Sequence, residues 1–175
     1  MFRHLSSQGG IKDLELDDKY GNTSLDLTYG VRERDMSWNV DLGVKNQVYN
    51  WYGLPTKNIF FDDATIGGID SKQSYNTIAL GGKMSFKDGI FKDATMQFKR
   101  FSDGFSSGEN RFFIKPDFDF EVMSQKIKAD LVVDYVGGSF ARILDVNSEL
   151  KYSTIIAGIK PSILYQQDDL SVQIG

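Results

Sequence analysis

The chain of 175 residues has no cysteine, three prolines and one histidine, His4. The absence of cysteine excludes a disulfide framework, a catalytic thiol and a cysteine-bound metal. The net charge is -4, so no excess of lysine and arginine points to nucleic acid. The three acids Asp62, Asp63 and Asp70 lack the spacing of a calcium loop. We therefore predict that the chain is not an enzyme and needs no metal or cofactor.

Long apolar runs are also missing. No run approaches the roughly twenty residues that a membrane helix needs, and the mean hydropathy is -0.32. A helical membrane protein is therefore excluded. Residues 1–7 lack the long apolar core of a secretory signal. Hydrophobic residues nevertheless make up 41% of the chain, and they are spread through it in a regular pattern.

Apolar and polar residues alternate in seven or eight stretches, most of which have eight to eleven positions. Between Met36 and Lys45 the apolar side chains fall on even numbers, and the polar residues and a glycine fall on odd numbers. Because successive side chains of a strand point to opposite faces, this pattern predicts strands with one apolar and one polar face. The other stretches are Leu25–Arg32, Thr77–Lys87, Ala94–Lys99, Phe112–Val122, Ile127–Tyr135, Ile155–Tyr165 and a last one from Leu170.

These stretches are long for a soluble protein. Strands of globular proteins usually have about five or six residues, whereas a tilted strand needs roughly nine to eleven to span a bilayer. The length favours an all-β, antiparallel, up-and-down transmembrane β-barrel. The alternatives are a soluble β-sandwich or ligand-binding barrel, and both would bury the face that carries Trp38 in a protein core.

The connections between the predicted strands alternate strictly between tight and long. Tight turns are predicted at residues 32–35, 87–92, 123–126 and 166–169, and long links at about 50–73, 102–110 and 137–149. Bacterial outer-membrane barrels have short periplasmic turns and longer extracellular loops. The alternation therefore predicts a bacterial outer-membrane location and assigns a side to each strand end.

Aromatic residues are predicted to form two girdles near the membrane surfaces. The turn-side set is Trp38, Phe86, Phe91, Phe120 and Tyr165. The loop-side set is Tyr49, Trp51, Tyr52, Tyr75, Phe101, Phe112, Tyr135 and Tyr152. The competing interpretation is that aromatics are common near the strand ends of any β-protein.

Residues 1–175 are predicted to be a single partial β-barrel domain, an open slice of a larger barrel with about eight strands. Residues 1–22, which contain Gly9 and Gly10 and several acids, are predicted to be an outer loop. The last strand stops after about six residues. An open slice has unpaired edges that lipid cannot satisfy, so we expect more strands in the complete protein. The competing hypothesis is a complete eight-stranded barrel.

Three segments resemble the barrel of TonB-dependent outer-membrane receptors. They are Tyr29–Asn39, Gln47–Pro55 and Phe98–Phe113. The similarity lies in the general residue pattern of the strands rather than in a diagnostic motif. No plug domain and no energy-coupling box are found within these residues.

The resemblance implies a gated transporter that takes up bulky ligands. It implies as partners the outer-membrane lipid, a plug domain and a TonB-type energy-coupling protein in the full-length protein, and an unknown small-molecule or glycan ligand. A passive porin-like barrel, with an open lumen and no plug, is the other membrane hypothesis.

Two groups of residues are candidates for function. The aromatic side chains of Trp51, Tyr52, Phe60 and Phe61 in a predicted outer loop offer stacking surface for a ligand, or they pack the loop onto the rim. Charged residues on the polar face of one hairpin are expected to pair across it and to point into the lumen. They are Asp117, Asp119, Glu121, Lys126, Lys128, Asp130 and Asp134. The alternative is that they are ordinary solvated charges.

Overall fold

The computed structural model describes residues 1–11, 17–50, 62–68, 70–122, 125–141, 150–167 and 170–174. These residues form nine β-strands and one short helix. In chain order they are β1 (Phe2–Ser7), β2 (Tyr20–Arg32), β3 (Met36–Asn50), α1 (Asp63–Gly67), β4 (Lys72–Phe86), β5 (Phe91–Asp103), β6 (Gly108–Val122), β7 (Gln125–Phe140), β8 (Leu150–Gln167) and β9 (Leu170–Ile174).

The nine strands form one sheet in which every strand pairs antiparallel with its neighbours in the chain. This confirms the predicted all-β, antiparallel, up-and-down fold. Within the described residues β1 and β9 do not touch each other, so the sheet is open, as predicted.

The additional strand is β1, which lies inside the segment predicted as an outer loop, residues 1–22. It pairs with the first half of β2, from Phe2 opposite Leu25 to Ser7 opposite Tyr20. This finding corrects the prediction and leaves residues 8–19 as the connection. The pattern missed β1 because its two large apolar residues, Phe2 and Leu5, are three positions apart and do not alternate.

The sheet has two ends that differ in their connections. The turn side carries residues 33–35 and 87–90, and two-residue links join β6 to β7 and β8 to β9. The turns predicted at 32–35 and 87–92 are therefore confirmed, whereas residues 123–124 and 168–169 of the other two lie outside the described residues. The loop side carries the connections 8–19, 51–71, 104–107 and 141–149.

One predicted long link is wrong. Between Asp103 and Gly108 only four residues connect β5 to β6, where the sequence predicted a loop over 102–110. The Asp103 carboxylate accepts hydrogen bonds from the backbone N–H groups of Phe105 and Ser107, both at 2.8 Å. An aspartate that bonds to nearby backbone N–H groups in this way stabilises a tight turn. Tight and long connections therefore do not alternate strictly.

The register sorts side chains onto two faces. One continuous row on the first face, here called the apolar row, crosses seven strands through Leu27, Leu42, Leu80, Phe98, Phe112, Tyr135 and Ile155. The neighbouring row on the other face contains Thr28, Asp41, Gly81, Gln97, Phe113, Asp134 and Ile156. We call these the apolar face and the polar face.

The apolar face is exposed. Leu80 is 48% exposed, Met96 46% and Ile159 66%. Among the described residues, Ala94 is the only hydrophobic residue that is buried. A soluble sandwich would cover such a face with a second layer. The described residues contain no such layer.

Candidate functional site

The loop-side end of the polar face carries an aromatic ladder across three strands. Tyr49, Tyr75 and Phe101 are neighbours on β3, β4 and β5. Both pairs of ring centroids are 5.4 Å apart, and the hydroxyl oxygens of Tyr49 and Tyr75 are 2.8 Å apart. Such edge-on and tilted contacts are favourable for aromatic rings. The three rings therefore form one continuous aromatic surface on the polar face.

This ladder corrects the predicted loop-side girdle. Tyr49, Tyr75, Phe101 and Tyr152 lie toward the loop side as expected, but the register puts them on the polar face. A girdle needs side chains on the apolar face, where only Phe112 and Tyr135 of the described loop-side set lie. The sequence pattern failed because, beyond the apolar band, both faces of these strands carry polar residues.

The predicted turn-side aromatics do lie on the apolar face. Phe86, Phe91 and Phe118 form a chain with centroid distances of 5.5 and 5.6 Å, and Phe118 stacks on Phe120 at 6.2 Å. Tyr29 and Trp38 meet edge-on at 5.7 Å. A row of aromatic side chains therefore follows the turn-side border of the apolar face.

A hydrogen bond between two loop-side side chains bridges β6 and β8. The Tyr152 hydroxyl donates to the Glu109 carboxylate at 2.6 Å. Gly138 of β7 lies between them, opposite both residues. A Cβ atom at this position would lie 3.0 Å from the Tyr152 hydroxyl oxygen and closer still to the carbonyl oxygen of Gly108. The glycine therefore leaves the space through which Tyr152 reaches Glu109.

The short turn after β5 is joined to the end of β7. Ser107 is buried, and its hydroxyl oxygen accepts a hydrogen bond from the backbone N–H of Ala141 at 3.0 Å. Ser106 adopts a positive φ of 68°, which is uncommon for a residue other than glycine. The two loop-side connections thus hold each other in place beside the aromatic ladder.

These groups line a cavity of about 360 Å³. Its wall is made of two rings, two carboxylates and a phenol, from Tyr75, Phe101, Asp103, Glu109 and Tyr152. Aromatic faces stack on sugar rings and on cations, and carboxylates accept hydrogen bonds from hydroxyl and ammonium groups. The cavity therefore suits a ligand rich in hydroxyl groups or a cation. We call it the mouth cavity.

The predicted charged residues all lie on the polar face. Asp119 is opposite Lys128 and Glu121 is opposite Lys126, in the pairing that the sequence predicted. Asp134 accepts two hydrogen bonds from the guanidinium of Arg111, at 3.0 and 2.5 Å. The sequence analysis did not single out Arg111, which lies on β6 and pairs diagonally with Asp134 on the neighbouring strand β7.

One part of this charged set departs from the expectation of opposite charges. Asp117 lies directly opposite Asp130, and Asp93 of the next strand also lies opposite Asp117. Lys115 is 3.4 Å from the Asp117 carboxylate and 3.9 Å from that of Asp130. Lys160 of β8 lies opposite Asp130, so the row of three acids has two lysines beside it. Like charges directly opposite each other are destabilising, and these lysines offset part of that repulsion.

The aromatic group predicted to contact a ligand, Trp51, Tyr52, Phe60 and Phe61, lies outside the described residues. The neighbouring Asp62 caps α1 by accepting from the backbone N–H of Thr65 at 2.7 Å. Hydrogen bonds from the Thr65 side chain and backbone hold the pKa of Asp62 below its ordinary value. Within the described residues no group of histidine and acidic side chains is arranged to hold a metal ion.

Sequence reasoning missed Glu109 and Arg111, and it assigned Tyr152 to a girdle instead of to a bond with Glu109. Their positions in the sequence give little signal, because the contacts depend on a register between strands that are far apart in the chain. The dipeptide Gly137–Gly138 inside a strand was the available hint, since glycine in a strand often marks a close approach of other groups.

Comparisons with protein-family models, with curated proteins and with solved structures find no match to this chain. No helix formed by the described residues has the length and apolar character needed to cross a membrane.

Proposed function

We propose that this chain is the barrel segment of a TonB-dependent outer-membrane receptor that takes part in ligand uptake in a bacterial cell. The observation that carries the proposal is the bare apolar face beside a charged polar face. The choice of family rests on a resemblance to receptor barrels in three segments, Tyr29–Asn39, Gln47–Pro55 and Phe98–Phe113. In the complete protein the open sheet is continued by further strands, because lipid cannot satisfy an unpaired edge.

The dimensions of the apolar face support a membrane-spanning sheet. Although β2 to β8 have 13 to 18 residues, the apolar positions occupy only part of each strand, at the turn-side end of β3 and β4. They run over nine residues in β3 (Met36–Val44), in β4 (Ile78–Phe86) and in β7 (Ile127–Tyr135). Roughly nine to eleven residues span the hydrocarbon core at a tilt. Lipid is therefore the covering that fits this face.

The soluble alternative is weaker because it needs a hydrophobic core. Leu80, Met96 and Ile159 on this face are about half exposed or more, whereas soluble monomers rarely expose large contiguous apolar patches. The described residues supply no second layer. A soluble protein with this sheet would depend on a partner that covers all seven strands of the apolar row.

A gated receptor is favoured over a passive porin by the polar face. The acid row Asp93, Asp117 and Asp130, with Lys115 between, and the Arg111–Asp134 pair form a dense charged surface. Such a surface fits a folded plug domain inside the barrel through complementary charges. The mouth cavity lies on the same face at the loop side, where an external ligand first arrives.

Ion conductance distinguishes the two membrane hypotheses. We would insert the purified full-length protein into planar bilayers in potassium chloride. A plugged receptor conducts no steady current, and the same barrel without its plug conducts as a wide pore. A steady current through the intact protein would overturn the receptor proposal and favour the porin. Recovery of the protein in a soluble fraction of the cell would overturn both.

A further inference from the structure

The two faces differ in their charges at the loop side of the sheet. We use the name loop-side collar for the residues on the apolar face that lie between the apolar row and the loop-side strand ends. The collar contains three cations, Lys72, Arg100 and Lys151, and its described residues include no carboxylate. The polar face at the same level carries both signs, with the acids Asp103 and Glu109 and with Lys45 in the same row as Glu109.

A depression of about 520 Å³ lies in this collar over β6 and β7. Arg100 and Lys151 line it from β5 and β8, on opposite sides. Its other lining residues on this face are small or carry amides and hydroxyls: Ser102, Gly108, Asn110, Gly137 and Ser139. Asp103 and Glu109 also belong to its lining, but the register puts them on the polar face. On the apolar face the depression combines two cations with several hydrogen-bond donors and leaves room for a polar group.

Gly137 lies in the floor of the depression and leaves space for the end of the Tyr135 side chain. The Tyr135 hydroxyl lies over Gly137, where a Cβ atom would collide with the tyrosine ring. Tyr135 belongs to the apolar row, and its hydroxyl thus reaches upward into the collar. A tyrosine with an apolar ring and a polar tip is the type of residue that lies at a membrane–water interface.

Directly below the depression the apolar row is unbroken. Phe98, Phe112, Tyr135 and Ile155 are consecutive in it, with exposures of 38%, 40%, 39% and 69%. A molecule that fills the depression with a charged head can therefore lay apolar chains on these side chains. Free phosphate or a nucleotide would leave this apolar surface unused.

We propose that the depression between Arg100 and Lys151 binds the phosphate-bearing headgroup of an anionic lipid in the leaflet on the loop side. This inference rests on the proposed membrane-spanning function. The cations and the donors of Asn110 and Ser139 meet the phosphate oxygens, because charged hydrogen bonds to phosphate are among the strongest in proteins. The acyl chains cover Phe98, Phe112 and Ile155. The site fixes the height of the sheet in the bilayer.

The test is lipid binding to the full-length protein in non-ionic detergent, measured by native mass spectrometry. The probes are dilauroyl phosphatidylglycerol, dilauroyl phosphatidylcholine and inorganic phosphate. We expect phosphatidylglycerol to bind about tenfold more tightly than phosphatidylcholine. The variant Arg100→Gln/Lys151→Gln should lose about tenfold or more of this affinity, since each charged hydrogen bond removed is worth about a factor of ten.

The matched control is Lys99→Gln, which removes the same charge from the adjacent residue of β5 on the polar face. It should bind phosphatidylglycerol like the unaltered protein. A second variant, Ser139→Leu, keeps both cations but fills the depression and should also weaken binding. Equal losses in Lys99→Gln, unchanged binding in both site variants, or displacement of the lipid by inorganic phosphate would each overturn the proposal.

A separate readout distinguishes this proposal from the proposed function. In Leu80→Cys, a fluorophore on the apolar face reports contact with a lipid-attached quencher in reconstituted vesicles. Quenching at Leu80 together with unchanged lipid affinity in the site variants rejects the lipid site alone. Absence of quenching at Leu80 rejects the membrane-spanning function on which the site depends.

Discussion

The hydroxyl of Tyr152 donates to the carboxylate of Glu109 at 2.6 Å, across a strand that separates their two backbones. The strand between them is β7, and the residue at the crossing is Gly138. This bond ties β6 to β8 at the loop side of the polar face, beside the mouth cavity. The shape of the cavity thus depends on a residue without a side chain.

Gly138→Ala should destabilise the sheet by roughly 1–3 kcal/mol, the usual cost of inserting a group into a filled space. Its Cβ atom would meet the Gly108 carbonyl oxygen and the Tyr152 hydroxyl. Urea unfolding in detergent micelles measures the effect. The control is Gly21→Ala in β2, where a Cβ atom has nothing within 4 Å. Equal midpoints for the two variants would show that the close approach at Gly138 is unimportant.

Val40→Arg should lower the free energy of unfolding in lipid vesicles by roughly 2–4 kcal/mol, the cost of a cation on the lipid face near the bilayer midplane. Val40 lies at the centre of the apolar stretch of β3 and is 43% exposed. Asn39→Arg, one residue away on the polar face, should cost much less. A similar loss in both variants, or none in either, argues against lipid on the Val40 face.

The connection between β1 and β2 should respond to acid. The Asp18 carboxylate accepts from the backbone N–H groups of Ile11 at 2.7 Å and of Gly10 at 2.8 Å. The Ile11 bond is the main cause that lowers the pKa of Asp18 below its ordinary value of 3.8. A lowered pKa means that these bonds contribute fully above pH 3.8 and are lost as the pH falls through the lower, folded-state pKa.

Amide proton shifts of Gly10 and Ile11, followed by NMR in micelles, measure this change. We expect both shifts to move together below pH 3.8 and to stay at the low-pH position at every pH in Asp18→Asn. The neighbouring substitution Asp17→Asn should leave the titration in place. Titration of these amides in Asp18→Asn would contradict the assignment.

Tyr75→Ala should cost about 1.5–4.5 kcal/mol, because it removes two ring contacts and one hydroxyl hydrogen bond of about 0.5–1.5 kcal/mol each from the centre of the ladder. Tyr75→Phe keeps both rings and removes the hydroxyl that meets Tyr49, so about 0.5–1.5 kcal/mol is expected. Urea midpoints of the two variants provide the comparison. If the two substitutions cost the same, the ladder acts through its hydroxyl groups rather than its rings.

The sequence was most informative where one face is apolar. In β3 the alternation of Met36 to Val44 predicts both the strand and its apolar face, because a shift of one residue would expose the wrong side chains. The tight turns follow from the same pattern, since they are the gaps between alternating stretches. The apolar row across seven strands is the result of these local signals in register.

Prediction failed where both faces are polar. Asn46–Asn50 and Lys72–Asn76 extend β3 and β4 beyond the apolar band without alternation, so the sequence did not reveal that Tyr49 and Tyr75 lie on the polar face. The turn at Asp103 was missed because the alternation of residue types does not show that its carboxylate accepts hydrogen bonds from the following backbone N–H groups. Tyr152 and Glu109 are 43 positions apart in the chain, and their pairing depends on a strand register that no local pattern encodes.

In the proposed receptor, lipid covers the apolar face of this sheet and the polar face lines the lumen. The chain has no cysteine, so single cysteines in β3 and β4 of the full-length protein can be labelled with a fluorophore one at a time. In reconstituted vesicles we predict that a lipid-attached quencher affects Val40, Leu42 and Leu80, while a water-soluble quencher affects Asp41, Ala79 and Gly81. If lipid covers one face, successive residues of a strand respond in turn to the lipid-attached and to the water-soluble quencher. Equal responses of adjacent residues to the water-soluble quencher would contradict a lipid-covered face.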